Sequence, residues 1–195
     1  MGTDRTAREV ARKRIVDAAV QELTAAAGLA PTMDQVASAA GCAKGLVHYH
    51  FRTKDALLAE AAGRIWADRG RTWREALSNP DPSAALAAAW SVLTREARNG
   101  RTMSCLALGS LPGAMTVQSA RAGRSSFSQA LGDGLAELLD HMGRSAAVPP
   151  SEIATLLASV ADGLGIRIAG GDKPEDLEPA WSAFWAAVLS LTRPG

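Results

Sequence analysis

TMDQVASAAGCAKGLVHYHFRTKDALL, residues Thr32 to Leu58, carries three helix starts in close succession. Thr32 is a good N-cap, and Met33, Val36, Ala37 and Ala40 follow at the spacing that lines small apolar side chains along one face. Gly41 stops this helix, and a short Gly41-Cys42-Ala43 turn leads into a second one from Lys44 to Phe51. Val47 and Phe51 lie one turn apart and anchor it inward. Gly45 and Tyr49 fall on roughly the opposite side, with Lys44 and His48 between. Thr53 then caps a further helix, with Asp55 near its positive end and Leu57 and Leu58 opening its core face. A short helix with two inward anchors and small or polar groups outward has the form of a recognition helix for the major groove. Gly45 would let DNA approach the backbone. Lys54, in the first turn of the next helix, is placed to meet a phosphate.

Other readings of the same residues exist. Helix-turn-helix patterns also occur in all-α cores that never touch DNA. His48 and His50 flank Tyr49, but positions two apart on a helix point away from each other, so no metal ligation is expected.

Around this stretch, Arg14-Ile15-Val16-Asp17-Ala18-Ala19, Gly28, Thr32-Met33, Val36-Ala37, Ala40-Gly41, Lys44 to Phe51 and Lys54 to Leu58 together resemble the N-terminal domain of the TetR family of bacterial repressors. The resemblance covers about fifty residues without a gap. It implies a homodimeric, all-helical, ligand-responsive transcriptional regulator. It also implies a phosphate contact for His48, where the family often has Tyr. Ala43 stands where Ser or Thr is usual, so one hydroxyl contact or cap is missing. Cys42 replaces a small apolar residue, which suits a buried thiol. The DNA-contacting set expected is Thr32, Met33, Ala43, Lys44, Gly45, His48, Tyr49, His50 and Lys54, on a double-stranded, (pseudo)palindromic operator.

Composition agrees with a folded helical protein. Of 195 residues, 47% are apolar and 21% charged, which argues for a packed core over disorder. The net charge of +1 makes no global case for nucleic acid. Residues 1–54, however, hold eight Lys and Arg against five Asp and Glu. Arg5, Arg8, Arg12, Lys13 and Arg14 cluster near the first helix start, as a solvated helix end or as a phosphate-contacting arm. Two cysteines, Cys42 and Cys105, give no disulfide framework, the N-terminus is charged where a signal peptide is apolar, and no apolar run reaches the roughly 18 residues of a span. A cytoplasmic protein without membrane contact is expected.

The rest of the chain reads as helices without strand-like alternation. Ile15, Ala18, Ala19 and Leu23 make the inner face of the first, which Gly28 ends. The fourth runs from Lys54 to Leu77 and is broken by Asn79-Pro80-Asp81-Pro82. Leu86, Trp90, Leu93 and Ala97 mark a fifth, residues 103–111 a short sixth, and Val117 to Met142 a seventh. Gly143 and Pro149-Pro150 separate two final helices. The expected architecture is all-α with about nine helices: a three-helix DNA-binding helix-turn-helix domain over 1–52 and a ligand-binding and dimerisation domain over 53–195.

In the final helices, Ile153, Leu156, Leu157, Val160, Leu164 and Ile168 form one apolar stripe and Leu177, Trp181, Phe184, Trp185 and Val188 another. Ala154, Ala158, Ala161 and Gly165 offer a face of small residues. Asp162-Gly163-Leu164 resembles a pattern in the family's penultimate, dimer-forming helix. A four-helix homodimer interface using Leu157, Ala158, Ala161, Gly165, Trp181 and Trp185 is therefore expected. The resemblance places an inducer cavity among helices four to seven. The large or flexible residues there are Trp66, Trp90, Met103, Cys105, Leu106, Met115, Phe127, Leu131 and Met142. Each also serves as ordinary core; as a set they predict a small hydrophobic or aromatic effector. Arg121, Arg124 and His141 offer a polar anchor or a plain surface. No nucleophile elbow, P-loop, HExxH or dinucleotide fingerprint is present, so neither an enzyme nor a cofactor is expected. A redox switch at Cys105 and a purely helical interaction module are the other classes, separated by whether oxidation releases DNA and whether DNA binds at all.

Overall fold

The computed structural model describes residues 2–194, and the side chains of residues 6–194. The Arg5 side chain lies outside those described. Helices α1 (Gly2–Ala25), α2 (Met33–Ala39), α3 (Lys44–His50), α4 (Lys54–Leu77), α5 (Pro82–Arg98), α6 (Arg101–Leu108), α7 (Ala114–His141), α8 (Pro150–Ala169) and α9 (Pro174–Ser190) make up nearly all of it. The all-α expectation holds.

By contact, the chain divides into two compact units. The first contains residues 1–66 and 103–123, and is thus larger than a three-helix segment ending at residue 52. Its core is built from the predicted inner faces: Ile15, Ala19 and Leu23 of α1, Val36 of α2, Val47 of α3, and Leu57, Ala61 and Ile65 of α4 are all at most 1% exposed. Gly28 is at φ +92° just past α1, with its N–H on the Leu23 carbonyl, a left-handed helix closure. A Cβ on Gly28 would stand 2.4 Å from Ala107 Cβ, so glycine is required there for space as well as for backbone angle. The buried Ser104 hydroxyl donates to that same Leu23 carbonyl at 2.9 Å. These contacts seat α6 on the end of α1.

The start of α7 departs from expectation, at Ala114 and not Val117. Asp55, in the first turn of α4, accepts hydrogen bonds from Met115 N at 3.1 Å, Thr116 N at 2.9 Å and the Thr116 hydroxyl at 2.7 Å. A carboxylate from another helix thus satisfies the free N–H groups of the first turn. Helix α6 likewise spans Arg101–Leu108 and not 103–111; the Asn99 side chain accepts from Arg101 N just before it.

The second unit contains residues 67–102 and 124–195. Trp73 and Leu77 of α4, Ala85, Ala89 and Leu93 of α5, Leu131 and Leu135 of α7 and Ile153 and Leu157 of α8 are at most 2% exposed. One ionic cluster lies inside it. Arg69 Nε donates to Glu96 Oε2 at 3.0 Å and Arg69 Nη2 to Asp162 at 2.6 Å, while the guanidinium lies 4.4 Å from the Phe127 ring centroid. Trp73 Nε1 donates to the same Glu96 oxygen at 3.1 Å. An element absent from the sequence reading closes the unit: β1 (Arg144–Ala146) pairs antiparallel with β2 (Thr192–Pro194), Ser145 opposite Arg193. Three residues are too few for an alternation to register.

Candidate nucleic-acid interface

Helix α2 begins with a capping box. Thr32 Oγ1 accepts from Gln35 N at 3.2 Å, and Gln35 Oε1 accepts from Thr32 N at 2.7 Å. The Thr32 hydroxyl proton stays available to donate outward, since accepting uses only a lone pair. Gln35 was not singled out in the sequence, although Thr-x-x-Gln before an apolar run is its signature. Met33 is half-buried.

Ala43 occupies the N-cap of α3 in an extended conformation and makes no side-chain cap, as its missing hydroxyl requires. Val47 is fully buried and Phe51 is 3% exposed. These two anchors turn Lys44, Gly45, His48 and Tyr49 outward onto one exposed arc, with Tyr49 60% exposed. At Gly45 an added Cβ would meet nothing within 4 Å. The fold itself therefore does not demand glycine at this position. Lys44 Nζ lies 2.8 Å from Asp34 Oδ1, both side chains more than half exposed. Such a pair contributes at most about 1 kcal/mol and releases its lysine easily.

His50 sits apart from the arc, half-buried with its ring edge-on to Tyr49. Burial, then the charges of Arg8 and Arg12, push its pKa below the ordinary histidine value, so it is neutral at neutral pH. Arg8 lies 5.3 Å from the Tyr49 ring centroid and Arg12 4.8 Å from that of Phe51, with Arg12 also bonded to Glu60. The basic first helix thereby braces the recognition segment. Thr53 caps α4 by accepting from Ala56 N at 3.1 Å, and Lys54 Nζ reaches the Ala30 carbonyl at 3.3 Å, fixing its ammonium near the entry to α2. Cys42, expected to be buried, is half-exposed, because the turn holding it lies at the surface.

The residues nominated for an effector are divided between the two units. Trp66 and Cys105 are buried, and Met103 and Leu106 half-buried, in the first unit. Phe127 and Leu131 are core of the second unit, Phe127 edge-on to Trp73 at 6.4 Å. Trp90 is different: it lines an open groove of about 490 Å³ between α5 and α9.

The residues nominated for a dimer are largely packed within the subunit. Leu157 is fully buried, Ala161 is 2% exposed, and Trp181 and Trp185 are 4% and 5% exposed, all within their own subunit. Gly165 is pressed against Thr102, whose Cγ2 would stand 2.9 Å from an added Cβ, and Ala158 is half-buried. The small-residue face thus serves the subunit's own core. Outward from α8 stand Leu156 and Ile166, 50% and 45% exposed, with Ser159 and Gly163 between them. On α9 the outward small residues are Ala180, Ala183 and Ala187.

Among the described residues, no helix is long and apolar enough to cross a membrane, and no group of three or more His, Cys, Asp and Glu is disposed to hold a metal ion.

Comparison with known proteins gives a consistent picture. The family described as bacterial regulatory proteins of the tetR family matches residues 15–61, from the core face of α1 into α4. A transcriptional regulator from Rhodococcus sp. Rha1 is similar over 93% of this chain and 97% of its own, at 28% identity and TM-score 0.74. A TetR transcription regulatory protein from Mycobacterium vanbaalenii, also 28% identical, covers 86% of this chain and 97% of its own at TM-score 0.60. A TetR-family regulator from Mesorhizobium loti shares the fold at 15% identity and TM-score 0.74, covering 95% and 98%. No curated protein matches.

Proposed function

We propose that this chain, which belongs to the TetR family of bacterial transcriptional regulators, is a homodimeric cytoplasmic repressor released from its operator by a small hydrophobic or aromatic effector. The observation that carries the DNA-reading role is the exposed arc of Lys44, Gly45, His48 and Tyr49, held outward by buried Val47 and Phe51. A helix of this size laid in the major groove brings Lys44 and Gly45 to base edges, Gly45 by backbone approach. Thr32, His48, Tyr49 and Lys54 take phosphates, and Met33 and Ala43 pack at the rim of that contact. Residues 1–52 act as the reading head and 53–195 as the sensing and dimerising part.

Two such heads must meet half-sites about 34–36 Å apart, so a dimer is required. Its interface uses the outward faces of the last two helices: Leu156, Ser159, Gly163 and Ile166 of α8 against Ala180, Ala183 and Ala187 of α9 in a four-helix arrangement. Exposed Leu156 and Ile166 supply the apolar area that a solvated helix has no reason to carry. Helix α4 begins at Lys54, immediately after the recognition segment, and continues to Leu77. A ligand that binds one position of α4 better than another shifts operator affinity by the ratio of those affinities.

Operator fragments selected from random duplex DNA provide the test. Lys44→Ala is expected to change the selected sequence, whereas Lys54→Ala weakens all sequences and lowers the salt slope by about 1. Equal losses at one site in both variants, with salt dependence unchanged, would refute the division of roles. Sedimentation of Leu156→Glu separates the dimer claim, since a variant that remains dimeric at micromolar concentration overturns it.

A further inference from the structure

The groove between α5 and α9 has a composition that the regulator reading does not use. Its walls are Trp90 and Leu86 from α5 and Trp181, Trp185 and Leu189 from α9, and its volume of about 490 Å³ is within the range of small-molecule sites. Trp90 and Trp181 face each other with ring centroids 5.8 Å apart and planes 32° apart. Trp185 stands at 88° to Trp181, 5.5 Å away, and closes a corner. Trp181 and Trp185 are held rigid by burial, while Trp90 is half-exposed. The only ionisable side chain lining the groove is Glu178, exposed on α9, one helical turn from Trp181 and Ser182.

Indole faces carry negative quadrupole potential, and a carboxylate beside them adds a full negative charge. Apolar walls reject strongly hydrated ions. The combination selects a flat aromatic molecule with a delocalised or alkylated positive charge over a neutral or anionic one. We propose that the α5–α9 groove is a binding site for aromatic organic cations, with the half-exposed Trp90 taking the ring and Glu178 the charge. Of the residues that the sequence nominated on helices four to seven, Trp90 lines this groove.

Its floor leads to α4. Trp181 packs edge-on to Trp73 at 6.5 Å, Trp73 donates to Glu96, and Glu96 pairs with Arg69. A ring seated on Trp90 therefore reaches α4 through Trp181, which packs against both Trp90 and Trp73. The use of this site as the regulatory one rests on the repressor reading above; binding itself does not.

Three probes of similar shape and different charge make the test: 1-methylquinolinium, 1-methylnaphthalene and 1-naphthoate, titrated calorimetrically into the full-length protein. The cation is expected to bind once per chain, at least tenfold more tightly than the neutral probe and more tightly still than the anion. Glu178→Gln is expected to reduce the preference for the cation about fivefold, with the neutral probe unchanged. Ala186→Phe, which fills the groove from an exposed position without removing a core side chain, abolishes binding of both. Equal affinity for cation and neutral probe, or binding untouched by Ala186→Phe, would overturn the proposal. So would conversion of the dimer to monomers by Ala186→Phe, which would mean that a second copy of the chain covers the groove. Operator affinity is measured separately: cation binding without DNA release supports the site and refutes its regulatory use alone.

Discussion

Replacing Arg69 by methionine removes the charge that neutralises Glu96 while keeping much of the side chain's volume. The two side chains are 1% and 4% exposed, and Asp162, the other partner, is 24% exposed. Asp162 can be rehydrated once its partner is gone. Glu96 cannot, and it keeps only the Trp73 N–H as a donor among its former partners. Removing one member of a buried pair typically costs about 3–5 kcal/mol, because the other charge is left uncompensated. Urea unfolding at fixed protein concentration is expected to show a loss of roughly 3–4 kcal/mol at pH 7. Arg69→Met with Glu96→Gln keeps an acceptor for Trp73 and restores most of the loss. A loss below about 1 kcal/mol at pH 7, or one that Glu96→Gln fails to restore, would refute the inference that this pair is buried and mutually dependent.

Gly123→Ala and Gly63→Ala make the same change in the helices α7 and α4 with opposite expected signs. A Cβ at Gly123 would stand 2.5 Å from Trp66 Cβ, whereas at Gly63 the nearest atom is Ser119 Oγ at an ordinary 3.4 Å. The first should lower stability by about 1–3 kcal/mol from overpacking and the second raise it by up to about 1 kcal/mol from helix propensity, read by urea midpoints. Gly45→Ala leaves the fold intact or slightly stabilised, yet should weaken operator binding; unchanged affinity in fluorescence anisotropy would remove Gly45 from the base-approach role. The hydrogen bonds from the Thr116 hydroxyl, Thr116 N and Met115 N hold the Asp55 pKa below the usual carboxylate value. The stability they give is present above about pH 4 and is lost as pH falls through the folded-state value. Asp55→Asn should flatten that acid limb in melting temperature against pH, and an unchanged limb would count against the cap. Thr32→Ala should cost about 1 kcal/mol by loss of the capping box.

How much of this was legible differs along the chain for physical reasons. The recognition segment was readable because its determinants are local: Thr32 and Thr53 cap their own helices, and Val47 and Phe51 bury one edge of a seven-residue helix. Gln35 escaped although its signal was present, and Cys42, expected to be buried, is half-exposed. The start of α7 was not readable, since its cap is Asp55, sixty residues earlier, and sequence spacing carries no trace of such a contact.

Helices α8 and α9 are the instructive case. Both were correctly read as amphipathic, but Leu156 and Leu157 are neighbours on different faces, and periodicity alone does not say which of them meets the core. Packing decides it. Thr102 claims Gly165, Arg69 claims Asp162, and the Trp73–Trp90–Trp181 cluster claims the inner edge of α9. With those faces occupied, Leu157 and Trp181 point inward, and Leu156, Ser159, Gly163 and Ile166 of α8 and Ala180, Ala183 and Ala187 of α9 are left exposed. Trp181 and Trp185, the aromatic members of the second apolar stripe, are thus packed within the subunit, and with Trp90 and Glu178 they line the α5–α9 groove, which neither apolar stripe disclosed.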